Sequence, residues 1–192
     1  MQIAEVIIKK EENMYSQTSC IEKYGSQYNV SKLLGEGKLF KVDRGVYSEK
    51  EHVPALAVLM FKYPKAVITM KTALYIHGLT DTVPDIYDLA TDRDAAKISD
   101  KRVKQYFYPS DILEAGVEEQ DYRGYKIRIY SKERMLVEVI RYKSKLSFDL
   151  YKEVILNYRR IMPTLNIQEI QDHALESPKS GRILDILQAE VF

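Results

Sequence analysis

Four scarcities bound what this 192-residue chain can be. It has a single cysteine, Cys20, so no intrachain disulfide can form, and its histidines lie away from any second thiol, which leaves no zinc-site spacing. That usage fits a reducing cytoplasm. Glycine and proline number 8 and 6 against a hydrophobic content of 45%, the balance of a chain that buries a core rather than one that stays disordered. Long apolar runs are missing. The longest, ALAVLMF from Ala55 to Phe61, falls far short of the ~20 residues needed to cross a bilayer. The opening MQIAEVIIKKEENM carries acidic residues and lacks the basic start and long apolar middle of a signal peptide. The expectation is a cytoplasmic protein with no membrane partner. Finally, neither charge sign dominates: the net charge is +1, so the surface as a whole is not a nucleic-acid footprint, and any such binding must be local.

Periodicity supplies the elements. Ile3, Val6 and Ile7, followed by Lys9 and Lys10, predict a first short helix, and Thr18 to Lys23 a second, with Ser16 or Thr18 as cap and Tyr24-Gly25 as its stop. Ser26 caps a third helix that turns Val30, Leu33 and Leu34 inward and ends at Gly35 and Gly37. Leu39 to Val42 and Val46 to Ser48 suit two strands, joined through Asp43-Arg44-Gly45. Helix, helix, turn, helix and hairpin within about 50 residues is the winged helix-turn-helix plan, in which the third helix enters the major groove and the wing touches the backbone or minor groove.

Beyond the wing, Pro54 to Lys62 and Thr69 to His77 predict two helices, with His77 capping the second. Ile86 to Thr91, Val103 to Tyr108, Val117 to Tyr122 and Tyr125 to Tyr130 predict strands. Two amphipathic helices follow, one through Met135, Leu136, Val139 and Ile140, the other through Phe148, Tyr151, Val154, Ile155 and Tyr158. Two shorter helical patterns, around Ile167 to Leu175 and Gly181 to Ala189, are divided by Ser177-Pro178. The expected fold class is α+β: a winged helix-turn-helix domain over 1–50, then a larger domain over 51–192 with a small, mainly antiparallel sheet and several helices.

Three stretches, GKLFKVDRGVY in the wing, YPKAVITMKTALYIHGLTD from Tyr63 to Asp81, and YSKERMLVEVIRYKSKLSFDLYKEVI from Tyr130 to Ile155, carry a nearly end-to-end resemblance. Their order and spacing resemble the AbiEi family, antitoxins of type IV toxin–antitoxin systems associated with abortive phage infection. The resemblance implies a transcriptional repressor of its own operon. Its N-terminal winged domain would bind operator DNA with inverted repeats, and its C-terminal domain would counter a nucleotidyltransferase-like toxin. No catalytic or metal motif closes in the sequence, so no enzyme activity, cofactor or metal is expected, and the expected state is a monomer or weak dimer that acts cooperatively on DNA.

The residues give this a physical form. Ser26, Gln27, Tyr28, Asn29 and Ser31 are expected on the DNA-facing side of the reading helix, where Gln27, Asn29 and Ser31 suit base edges. Lys32, Lys38, Lys41 and Arg44 suit phosphates, and Arg44 also suits a narrow minor groove. Against Glu36 and Asp43 these four cations leave a surplus of two, so affinity from one domain is modest and two copies on repeated half-sites would compensate. A second basic run spans Arg123 to Arg160. Its members Arg123, Lys126, Arg128, Arg134, Arg141, Lys143, Lys145 and Lys152 are expected to form an antitoxin or partner surface; a solvated helix face is the plainer explanation.

Two rival functions come from other classes. Asp85, Asp92, Asp94 and Lys97 loosely follow the carboxylate-plus-lysine pattern of metal-dependent nucleases, with one residue too many between Asp94 and Lys97. A winged domain can also serve purely as a protein-docking module.

Overall fold

The computed structural model describes residues 13–192, and the expected helix through Ile3, Val6 and Ile7 lies outside them. The described chain divides into two units. One runs to Pro64 and also takes in Asp121–Ile127; the other comprises Lys65–Gln120 and Arg128–Phe192. The first unit therefore continues past residue 50 through a further helix and gains a segment distant in sequence.

In the first unit, strand β1 (Met14–Ser16) leads into α1 (Gln17–Tyr24), α2 (Gln27–Gly35), β2 (Phe40–Asp43), β3 (Val46–Ser48) and α3 (Ala55–Lys62). Ser16 and Ser26 cap α1 and α2 by accepting from the amides of Ser19 and Asn29, so only Gly25 and Ser26 separate the two helices. The strands form a sheet in the order β1-β3-β2, antiparallel at both pairings. Side chains alternate across β3: Tyr47 joins Cys20, Val30 and Leu39, while Val46 joins Met14, Ala57, Val58 and Tyr125. The sheet is thus covered on one face by α1 and α2 and on the other by α3 and the 121–127 segment.

The second unit holds a five-stranded sheet, except for Asp121–Ile127 at the joined ends of its last two strands, which belong to the first. Its strands are β4 (Val67–Ile68), β5 (Tyr87–Asp92), β6 (Val103–Tyr108), β7 (Val117–Tyr122) and β8 (Tyr125–Tyr130), in the order β6-β5-β4-β8-β7. The expectation of a mainly antiparallel sheet is corrected: β5 pairs with β6 in parallel and β4 with β8 in parallel, so the sheet is mixed. Parallel neighbours need a crossover, and between β5 and β6 it is an irregular loop pinned by Gln105. That amide donates to Thr91 and to the Ala96 carbonyl and accepts from the Ile98 amide. The helices are α4 (Met70–Ile76), α5 (Ser110–Leu113), α6 (Lys132–Arg141), α7 (Phe148–Ile161), α8 (Ile167–Glu176) and α9 (Ser180–Glu190).

α6 is the axis of this unit, with α4, α8 and α9 packed against it. Seven consecutive residues, Arg134 to Ile140, are buried, so α6 is covered all round rather than on one face as its pattern predicts. α7 is amphipathic as expected, but Phe148 stands 75% exposed and Leu150 is turned inward. His77 ends α4, and its Nε2 lies 2.7 Å from the Tyr130 carbonyl; burial lowers its pKa.

Candidate nucleic-acid interface

α2 presents two faces because its apolar residues fall three and four apart. Val30 is fully buried, and Leu33 and Leu34 pack against the same cluster. The opposite face exposes Gln27, Tyr28, Asn29, Ser31 and Lys32. Tyr28 is 76% exposed, an aromatic ring with nothing over it among the described residues.

Some of the expected contact groups already have structural work. Ser26 is only half-buried but spends its hydroxyl on the Asn29 amide, and Asn29 Nδ2 donates to the Tyr24 carbonyl at 2.8 Å, which secures the α1–α2 turn. Asn29 keeps its side-chain oxygen for an outside donor. Gln27 Oε1 accepts from Gln17 Nε2 at 3.4 Å, which brings exposed Gln17 beside the polar face of α2. Sequence reasoning missed Gln17; its only signal was adjacency to the cap Ser16.

Between α2 and the hairpin the chain must reverse, and Gly37 does this with φ +66, a left-handed conformation that costs other residues dearly. Lys38 and Leu39 then return their amides to the Leu33 carbonyl. Gly35, expected to share this task, is instead the last residue of α2 with an ordinary φ.

The hairpin is irregular where it matters. Lys41 faces Tyr47 and Asp43 faces Val46, so Val42 is an extra residue in β2, tucked toward the core. Arg44 and Gly45 form the tip, with Asp43 Oδ1 accepting the Arg44 amide at 2.6 Å. Glu36 takes Lys38 at 2.8 Å and Lys32 at 3.9 Å, and Asp43 lies 3.6 Å from Lys62. Lys41 and Arg44 are exposed and join no ion pair among the described residues. Lys32 and Lys38 thus share one carboxylate, and the two cations of this face without an acidic partner among the described residues are on the hairpin.

Behind this face, Glu49 Oε1 gathers Lys23 at 2.6 Å, Tyr24 Oη at 2.9 Å and Tyr15 Oη at 3.1 Å, tying α1 to β1 and the chain after β3. The Lys23 ammonium, ahead of Tyr24, holds the Glu49 carboxyl below its ordinary pKa, and the Glu49 bond raises that of Lys23.

The second basic set is divided between the two units. Arg123 and Lys126 belong to the first unit, the others to the second. Arg134 is corrected outright: it is wholly buried, 2.8 Å from Glu138 and over the Tyr130 ring. Arg141 is partly buried on the same carboxylate, Arg128 pairs with Glu114, and Lys143 with Glu190. Lys126, Lys145 and Lys152 are exposed. Asp85, Asp92 and Asp94 make no cluster: among the described residues no group of three or more His, Cys, Asp or Glu is placed to hold a metal ion. Asp92 instead accepts from Ser110 and from the Asp94 amide, which lower its pKa. No helix among the described residues is long and apolar enough to cross a membrane.

No family model and no curated protein matches this chain. Among solved structures, the crystal structure of the Rv2827c protein from Mycobacterium tuberculosis is similar, with a TM-score of 0.65 over 93% of this chain and 72% of that one. The two are 10% identical, so the likeness bears on the fold, which is α+β, and on nothing further.

Proposed function

We propose that the chain is a DNA-binding transcriptional regulator whose first unit is a winged helix-turn-helix, and that it is the antitoxin of a type IV toxin–antitoxin pair. The observation that carries the DNA-binding half is the exposed polar face of α2 beside a hairpin that bears unpaired Lys41 in β2 and Arg44 at its tip. An α-helix with its side chains is about 10–12 Å across, and a major groove about 12 Å wide admits it.

In this reading Gln27, Ser31 and the free oxygen of Asn29 meet base edges, and Tyr28 meets a thymine methyl or the sugar edge. Lys32 and Lys41 lie against phosphates, and Arg44 reaches the flanking backbone or minor groove. Two copies bound to an inverted repeat would be centred about 34 Å apart, one helical turn of DNA. Repression follows by occlusion of the promoter.

The antitoxin half rests on the resemblance of Tyr63–Asp81 and Tyr130–Ile155 to the AbiEi family. The second unit would neutralise a nucleotidyltransferase-like toxin encoded beside it. A gel shift on the DNA upstream of the gene tests the first half. The wild type should retard it specifically, and Lys32→Ala with Arg44→Ala should weaken the shift; unchanged retardation by that double variant would remove this face from the account. Co-expression of the full chain with the neighbouring gene product tests the second half, with restored growth expected and continued arrest the contrary result.

A further inference from the structure

At the end of α6 and the start of α9 lies a depression of about 290 Å³ ringed by five cations: Arg141, Lys143, Lys145, Lys179 and Arg182. No carboxylate lines it. Arg141 and Lys143 already face Glu138 and Glu190, whereas Lys145, Lys179 and Arg182 join no ion pair among the described residues. Like charges gathered in a concave wall raise the local potential for an anion far more than the same charges spread over a convex surface.

The backbone adds to this field. α9 begins at Ser180 with Lys179 in the capping position; no side chain caps it and no acidic residue stands in its first turn. Its leading amides and the positive end of its dipole are therefore not offset by the protein. Gly181 is not itself part of the wall but lies between the lining residues Lys179 and Arg182, with open space where a side chain would project. The floor is apolar, through Ile140, Ile183 and Ile186, and Tyr142 stands at the rim.

We propose that this depression binds a pyrophosphate group, free or as the diphosphate portion of a nucleotide. One phosphate carries about −2 at most, which leaves three unmatched cations under-filled; two linked phosphates match them. The volume is at the small end of the roughly 300–1,000 Å³ typical of ligand pockets, enough for the diphosphate and an apolar or aromatic group laid over the isoleucines. The site lies wholly in the second unit, so none of its residues belongs to the unit proposed to bind the operator.

The test is a titration of the full, isotope-labelled chain, reading the amide resonances of Ser180, Gly181 and Arg182. Sodium pyrophosphate should shift them saturably, with orthophosphate weaker by about tenfold, as fits a site that makes charge-assisted bonds to both phosphates. ATP binding more tightly than pyrophosphate assigns the source to a nucleotide; the reverse order assigns it to the free anion. Lys145→Gln with Arg182→Gln should raise the dissociation constant about tenfold or more, with the thermal midpoint unchanged. Shifts that do not saturate at millimolar pyrophosphate or ATP, or equal affinity in the double variant, overturn the proposal. So does a response to duplex DNA alone, which would make the depression part of a nucleic-acid path.

Discussion

Arg134 Nη2 lies 2.8 Å from Glu138 Oε1, one helical turn away on α6, with both side chains wholly excluded from solvent. Glu138 also accepts from Arg141 Nη1 at 2.8 and 3.0 Å and from Tyr108 Oη at 2.8 Å, whereas among the described residues Arg134 has no in-line hydrogen bond from any of its guanidinium nitrogens. The carboxylate is thus the hub and Arg134 the dependent charge.

Glu138→Gln should therefore be the more damaging change. It strands a buried guanidinium and weakens the hold on Arg141, a loss of about 3–5 kcal/mol in a urea melt. Arg134→Met leaves Glu138 with Arg141 and Tyr108 and fills the same volume with an apolar chain, so it should cost less than half as much. Equal losses would mean that the two charges matter only as a pair.

Gly116 has φ +72, and a Cβ placed on it would stand 2.6 Å from Arg134 Cβ. Gly116→Ala should cost about 2–4 kcal/mol through backbone strain and overpacking. Gly181→Ala has open space around it and should fall within about 1 kcal/mol of the wild type, since alanine favours helices over glycine. Paired thermal melts check both.

The Glu49 cluster predicts a pH dependence of definite sign. The folded-state pKa of Glu49 is lowered, chiefly by Lys23, so its contribution is present above the ordinary carboxylate pKa and is lost as the pH falls from there through the lowered folded-state pKa. Glu49→Gln should lower the urea midpoint at pH 7, and the gap to the wild type should narrow steadily as the pH falls below the ordinary carboxylate range. Because both partners are about 40% exposed, the gap should be modest and shrink in salt. A gap that widens in acid would contradict the assignment.

Much of this architecture was legible in the sequence because the signals were local. Ser16, Ser26 and Ser131 cap the helices they precede, and the hairpins at Arg44-Gly45 and Arg123-Gly124 turn where turn chemistry says they should. What was not legible depends on partners. Met14–Ser16 and Val67–Ile68 are too short to show alternation and exist as strands only through pairing with β3 and with β5 and β8. Tyr125 reads as a strand residue, and only its packing on Met14 and Val46 reveals that it serves the first unit's core.

The burial of Arg134 did leave a trace. Met135, Leu136, Val137, Val139 and Ile140 circle the whole helix, and a charge set four residues from its opposite within such a pattern belongs inside. Counting cations along the chain hid this, and stopping at Arg160 also hid Lys179 and Arg182, which the fold brings beside Lys145.

The central claim is that α2 and the hairpin read DNA, with the unpaired Lys41 and Arg44 supplying the phosphate contacts. It is tested most directly by the salt dependence of binding to the upstream duplex, measured by fluorescence anisotropy for the wild type and for Lys41→Ala with Arg44→Ala. Each lost phosphate contact should flatten the log–log slope by about 0.9, so the double variant should bind more weakly with a slope shallower by roughly 2. An identical slope and affinity in the two proteins, or no salt-dependent binding by the wild type, would contradict the account.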